Sequence, residues 1–318
     1  MLLITPEDIK AALPYSKLCT HLHQAFAGDY TVPLRHHHDF NNPDALLDST
    51  LLLMPAWQSG GFLGVKIVSI APENHKYQLP SIQGVYLLFD AVKGTPLLQC
   101  DAKILTNIRT AAASALAADF LANPDSNSLL MIGTGSLSPF LIEAHCSIRP
   151  IKKVWIWGRN PQKAEQVLKQ ISLPSEIEIQ VVEKLEPYLS EADIISSATM
   201  SKTALIAGSK LRPGQHVDLV GSYKPDMREA DDTAIIRAEV FVDTLEGACK
   251  ETGDIAIPIK TGILKKDRIQ GDLFGLCRGL VSGRKSQQAI TLFKSVGHAL
   301  EDLAAAQLIY EAHSNQNQ

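Results

Sequence analysis

Between residues 128 and 145 the chain reads SLLMIGTGSLSPFLIEAH: an unbroken apolar run, a turn with glycines at 133 and 135, and a helix-forming stretch. A strand that must turn this tightly into a helix is the opening of a βαβ unit, and few architectures accept it. Gly133 permits the tight turn, and Gly135 lets the backbone approach a pyrophosphate with no Cβ in the way. Ser138 takes the third glycine position, where a small residue still allows helix–strand packing. Pro139 suits a first helical turn, where its missing N–H costs nothing. The remaining N–H groups, those of Ser136 and Leu137 included, then face an anion together with the helix dipole. The G-x-G-x-x-S string is weak alone; its place between an apolar strand and a helix is what gives it weight.

The second strand, Lys153–Trp157, ends in Gly158-Arg159-Asn160. A site for NAD calls for an acid here to accept from the ribose 2′-OH, whereas NADP calls for no acid and an arginine for the 2′-phosphate. Arg159 and Asn160 therefore point to NADPH, with NADH as a less efficient substitute. Met200 follows the fourth strand together with Ala198 and Thr199, and all three are expected along the cofactor, because ligands sit at strand carboxyl ends.

Further strands are expected at 176–182, 192–198, 215–221 and 239–243, with helix-prone segments between most of them. That alternation predicts a doubly wound, mostly parallel, Rossmann-type α/β sheet over 123–290. Upstream, Thr5-Pro6-Glu7-Asp8 reads as a helix start for 3–28. Residues 30–100 hold short alternating runs broken by Pro, Gly and Asn, as in an antiparallel or mixed sheet. Residues 103–122 are alanine-rich without Gly or Pro and predict a helix. The segment 286–311 reads as helical and outside the alternation. The expected organisation is a Rossmann domain inserted into a second α/β domain for substrate and dimerisation, the latter formed by 1–122 and a C-terminal helix in 291–318.

Thirty Lys plus Arg against 34 Asp plus Glu give a net charge of −4, which offers no basic surface for nucleic acid or anionic membrane. The five cysteines, at 19, 100, 146, 249 and 277, are widely spread with no C-x-x-C pair, so neither a disulfide framework nor a zinc ribbon is indicated. No apolar run reaches the roughly 18–20 residues that span a bilayer. The start MLLITPEDIK lacks a signal peptide's basic-then-apolar layout, so a cytoplasmic location is expected. His36-His37-His38-Asp39 is not a convergent metal set, because neighbours in an extended segment point to opposite faces. No metal is expected.

Several segments, in order, resemble the ornithine cyclodeaminase/mu-crystallin family. They are Val32-Pro33-Leu34-Arg35, Leu53-Met54-Pro55 with Gly64-Val65-Lys66, Leu79-Pro80 with Leu87-Leu88-Phe89-Asp90, Arg109-Thr110-Ala111-Ala112, the glycine loop, Gly221 through Glu229, and Lys294-Ser295-Val296-Gly297. The resemblance implies a homodimer and a substrate carboxylate met by Arg35, Lys66 and Arg109 beside the nicotinamide. It also places Thr110 and Ala111 at the cofactor, Gly221 on its path and Tyr223 near the substrate. Two arginines and a lysine suit a small carboxylate, which needs charge-assisted donors.

Two departures narrow the activity. Cyclodeaminases of this family imply an acid two places before the Met of Leu-Met-Pro and another two places after the Gly matching Gly221; this chain has Leu52 and Tyr223. A diamino acid needs carboxylate partners for its amines, and neither residue is an anion at neutral pH. The expectation is a pocket of three cations around one carboxylate, with no acid to hold an amine. This pattern is most similar to the bacterial ketimine reductases: NADPH reduces the small cyclic imino acid Δ1-pyrroline-2-carboxylate to L-proline, or Δ1-piperideine-2-carboxylate to L-pipecolate. Lys66 and Arg109 are the catalytic candidates, with Lys66, a water or Tyr223 as proton donor. Ornithine cyclodeaminase, alanine dehydrogenase-like activity and a non-catalytic NADPH-dependent binding protein are the alternatives. A role in hydroxyproline breakdown is implied by the resemblance alone. Asp302 reads as a helix-surface or interface residue, Asp226 and Glu229 as solvent-facing or helix-starting acids, and His145 and Cys146 as packing residues.

Overall fold

The structure, a computed structural model, describes residues 1–43 and 45–314 and divides into two compact units. One comprises Met1–Arg109 and the chain from His298 on; the other is Thr110–Gly297.

The first unit begins with β1 (Leu2–Ile4), α1 (Pro6–Ala12) and α2 (Tyr15–Ala27). The expected single helix over 3–28 is therefore three elements. Leu2–Ile4 pairs in parallel with residues 98–100, and Pro14, which has no N–H to continue a helix, separates α1 from α2. Thr5 and Asp8 form a capping box that fixes the start of α1. There follow β2 (His36–Phe40), β3 (Ser49–Trp57), β4 (Phe62–Ile70), β5 (Ile82–Asp90), β6 (Pro96–Asp101) and α3 (Ala102–Leu121), of which the residues up to Arg109 belong to this unit and the rest to the second. The sheet order is β1-β6-β5-β4-β3-β2, antiparallel except for β1 against β6.

Alternation along these strands separates two faces. Met54, Lys66, Tyr86 and Cys100 form one cross-strand row, with Ala56, Gly64, Leu88 and Leu98 as its neighbour. Apart from Met54, all of these are buried. Leu53, Ile67 and Val85 form a row on the opposite face, beside Pro55, Val65 and Leu87, and these apolar residues are only half-buried.

The second unit contains β7 (Ser128–Ile132), α4 (Ser138–Ile148), β8 (Lys153–Trp157), α5 (Pro161–Leu168), β9 (Glu178–Val182), α6 (Glu186–Glu191), β10 (Ile194–Ser197) and β11 (His216–Leu219). It continues through α7 (Asp232–Arg237), β12 (Ala238–Val242), α8 (Leu245–Glu251), α9 (Gly253–Lys260), β13 (Gly271–Asp272), α10 (Leu273–Cys277) and β14 (Ile290–Lys294). All eight strands run parallel in the order β13-β12-β14-β11-β10-β7-β8-β9. The direction of winding reverses between β7 and β10, which is the switch point where doubly wound sheets bind ligands. α11 (Ala299–Ser314) then completes the first unit, against α2, β3 and β4.

The reading of 286–311 as one helix fails at β14. Ile290–Lys294 is a fully buried strand between β11 and β12. A strand buried on both faces is apolar throughout and has no alternation to reveal it.

Burial in the second unit also encloses polar groups that must be paired. Asp218 on β11, fully buried, accepts from Ser114 Oγ at 2.9 Å and Ser196 Oγ at 2.7 Å, and lies 3.2 Å from His145 Nε2. Burial raises the Asp218 pKa, but the bonds from His145 and Ser196 outweigh it and hold the carboxyl below its ordinary range. His145 thus packs as expected, with its ring tied to a strand.

Candidate functional site

The cleft at the switch point has a volume of about 760 Å³. Gly133, Gly135, Ser136 and Leu137 line it from the β7–α4 turn, Arg159 and Asn160 from the end of β8, and Ala198, Thr199, Met200 and Gly221 from beyond β10 and β11. Gly133 has φ +124°, and a Cβ there would stand 2.5 Å from the carbonyl oxygen of Ala198. A Cβ on Gly135 would meet nothing within 4 Å, so its backbone borders open space wide enough for a phosphate. Ser138 Oγ donates to the Gly133 carbonyl at 3.0 Å, closing the turn from inside. This turn fits a dinucleotide pyrophosphate.

Asn160 also caps α5, its side chain accepting from the Lys163 N–H at 3.2 Å. That cap sets the first turn of α5, and Lys163 lines the cleft with Arg159. Sequence reasoning misses Lys163 because it lies inside an otherwise ordinary surface helix. No Asp or Glu lines this cleft among the described residues. Thr110 and Ala111, expected at the cofactor, are buried on α3 and are not among the cleft residues. Tyr223 lines this cleft and is half exposed.

Glu229 is not a solvent-facing acid. It is fully buried because the loops around the cleft need an internal acceptor. Oε1 accepts from Ser197 Oγ at 2.6 Å, Thr199 N–H at 2.7 Å and Thr199 Oγ1 at 3.0 Å; Oε2 accepts from Gly221 N–H at 2.7 Å and Ser222 N–H at 3.1 Å. One carboxylate therefore ties the loop after β10 to the loop after β11. Lys294 of β14, also fully buried, lies 4.0 Å from Glu229 and 3.3 Å from Asp254. Burial, with Asp254 nearby, raises the Glu229 pKa to about 7, against the opposing pull of Lys294 and of the donors. Asp226, by contrast, is exposed and pairs with Lys202 at 2.7 Å.

In the first unit, Lys66 and Arg109 come together. Lys66 is 4% exposed and Arg109 5%. Between them lies Asp302 from the first turn of α11, with Oδ2 2.7 Å from Lys66 Nζ and Oδ1 accepting from Arg109 Nε at 2.9 Å. Glu301 Oε2 accepts from Arg109 Nη1 at 2.5 Å, and Lys66 Nζ donates to Thr106 Oγ1 at 3.3 Å. The expectation of cations with no acid nearby is thereby corrected, as is the reading of Asp302 as a helix-surface residue. Two cationic side chains cannot be buried without counter-charges, and the first turn of a helix is a favourable place for acids. Burial is the largest influence on Lys66 and lowers its pKa to about 8, although Asp302 opposes the shift.

Arg35 is exposed in the segment just before β2. Its charge and that of Arg109 both act on His298, whose pKa is pushed down to about 4, mainly by burial. Tyr86, in the same cross-strand row as Lys66, is buried, and its Oη has no hydrogen-bond partner among the described residues. The His36–Asp39 stretch forms β2 and is exposed along its length, with His37 Nε2 2.9 Å from Asp39 Oδ1.

The sequence profile of the ornithine cyclodeaminase/mu-crystallin family matches residues 5–317. The chain belongs to this family. A Δ1-pyrroline-2-carboxylate reductase of Colwellia psychrerythraea is 35% identical over 98% of this chain and 99% of its own length. The structure of the Thermococcus litoralis Δ1-pyrroline-2-carboxylate reductase with NADH and L-proline superposes with a TM-score of 0.90, at 33% identity, over 100% of this chain and 98% of that one. An archaeal alanine dehydrogenase dimer with bound NAD gives 0.88 at 26% identity, over 100% and 97%. Within the family's shared fold, the tie made by Glu229 in this member is open to direct measurement. Glu229→Ala leaves three N–H groups and two hydroxyls without their acceptor, and the expected loss is about 3 kcal/mol of stability. Asp226→Ala is expected to stay near wild type; denaturant unfolding of both variants checks the contrast.

Proposed function

We propose that this chain reduces Δ1-pyrroline-2-carboxylate to L-proline, and the six-membered Δ1-piperideine-2-carboxylate to L-pipecolate, with NADPH as the preferred reductant. The chain is a nicotinamide-dependent oxidoreductase acting on a C=N bond, as are the named reductases that it resembles along nearly its whole length. The observation that carries the finer reading is the buried pair Lys66 and Arg109, charge-matched by Asp302 and Glu301.

Arg109 gives Nε and one Nη1 hydrogen to the two acids, and its remaining guanidinium hydrogens suit a substrate carboxylate. Arg35 adds a second guanidinium for the same group. A dihydronicotinamide, when bound, would supply the hydride that the C=N carbon takes up. The displaced π pair then moves to nitrogen, which requires a proton, and Lys66 is suited to give it: the ammonium is charged below about pH 8 and has a third N–H beyond those facing Asp302 and Thr106. Tyr223 lies on the cleft of the other unit and is a weaker donor. Asp302 does not restore a cyclodeaminase site, because one of its oxygens faces Lys66 and the other Arg109. Leu52, on the same sheet face as Lys66 and two residues from Met54, supplies no anion.

Arg159 and Lys163, with no acid along the cleft, support NADPH over NADH. The neighbour that holds NADH is a different protein, so the choice of cofactor rests on this chain's own residues. A homodimer is supported by the half-buried rows Leu53–Ile67–Val85 and Pro55–Val65–Leu87, since apolar faces of this kind mark interfaces. A second copy of the same face would cover them.

Wild-type protein is expected to oxidise NADPH with both ketimines and to be inactive on L-ornithine or on pyruvate with ammonia, followed by loss of reduced-nicotinamide absorbance. In the same assay, kcat/KM should fall above about pH 8, and Lys66→Met should abolish turnover. Arg159→Ala with Lys163→Ala should raise KM for NADPH about tenfold or more while leaving that for NADH near wild type, as loss of charge-assisted phosphate contacts requires. Light scattering should give the mass of two chains, and Ile67→Glu should give one chain that remains folded by circular dichroism.

A further inference from the structure

We propose that Asp302 is a positioning residue for the reduction: it locks Lys66 Nζ and the Arg109 guanidinium into one unit and keeps the lysine ammonium charged through the neutral range. This rests on the ketimine reading above and adds a residue to it. The geometry is specific. Asp302 is fully buried, lies between Lys66 at 2.7 Å and Arg109 at 2.9 Å, and uses a different oxygen for each. Glu301, its neighbour on α11, reaches Arg109. The two acids therefore divide the work: Glu301 serves the arginine, and Asp302 serves both cations.

The physical need is clear from the sheet. Lys66 stands in a row with Met54, Tyr86 and Cys100, none of which offers it a negative charge. Burial drives the Tyr86 and Cys100 groups toward their neutral forms. From α3 it meets the Thr106 hydroxyl and the positive charge of Arg109, and His298, ahead of α11, is held neutral above about pH 4. Glu301 acts on Lys66 more weakly than Asp302 does. Without Asp302, burial and Arg109 both favour the neutral amine. The lysine would then be a poor proton donor at the pH where the reductase works. Asp302 also answers a difficulty in the chemistry. Three cations would repel a protonated imine, whereas two acids beside Lys66 and Arg109 bring that group of four to zero net charge.

The test is Asp302→Asn, read in two ways. One is the pH profile of kcat/KM for NADPH with Δ1-pyrroline-2-carboxylate. The other is the titration of Lys66 followed by ¹³Cε NMR of labelled lysine, assigned by its loss in Lys66→Arg. The expected result is that both the basic limb and the Lys66 titration move down by about one pH unit or more, with about a fivefold or greater loss of kcat/KM at pH 8 and partial recovery in acid. Glu301→Gln is expected to raise the substrate KM and leave the basic limb in place. An unmoved Lys66 titration in Asp302→Asn overturns the proposal, and so does a titration that moves while the basic limb does not. If Asp302→Asn does not fold, Asp302→Glu keeps the charge and displaces it by one methylene. It should then retain the basic limb with a lower kcat, and wild-type kcat would overturn the proposal. A wild-type protein that fails to reduce the ketimine overturns the functional reading instead, while the NMR titration still tests the link between Asp302 and Lys66.

Discussion

A lysine ammonium on the covered face of a sheet is costly unless a carboxylate meets it. In this chain that requirement organises the first unit. Lys66 is placed on β4 by strand alternation, Arg109 on α3 lies beside it, and α11 returns from the far end of the chain with Asp302 and Glu301 in its first turn. The four charges are buried together. They form a charged island in a layer whose other buried side chains are mostly apolar.

The second unit solves a related problem, with a buried acid meeting backbone donors. Loops that follow parallel strands leave backbone N–H groups with no partner in the sheet. Here Glu229 takes three of them, together with two hydroxyls, and holds the cleft's far wall as one piece. The near wall is held by glycines that admit close backbone approach and by Ser138 bonding back to Gly133. Walls tied in this way leave less to be ordered when a ligand binds.

Local chemistry is legible in the sequence. The glycine turn, the missing acid after β8 and the alternating runs that form β3 to β6 each depend on residues within a few positions of one another. The elements that escape such reading depend on partners far away. Asp302 meets Arg109 across 193 positions, and in isolation an acid after Gly297-His298 looks like any helix-start acid. Glu229 is misjudged for the same reason: its partners lie on two loops, one of them about 30 positions upstream. Ile290–Lys294 gives no alternation because both faces are buried, so a central strand reads as helix. The lysine in the middle of β4 is the one clear sign that a counter-charge has to exist somewhere.

The placement of β14 has an outcome for how the protein is made. The strand between β11 and β12 is the last of its sheet to leave the ribosome, and α11 follows it. Until then a nascent chain has only seven of the sheet's eight strands, with a gap between β11 and β12, and a lysine without its acid. Assembly of both units is therefore a late event in synthesis, and a message truncated shortly before codon 290 would encode neither a finished sheet nor the charged cluster.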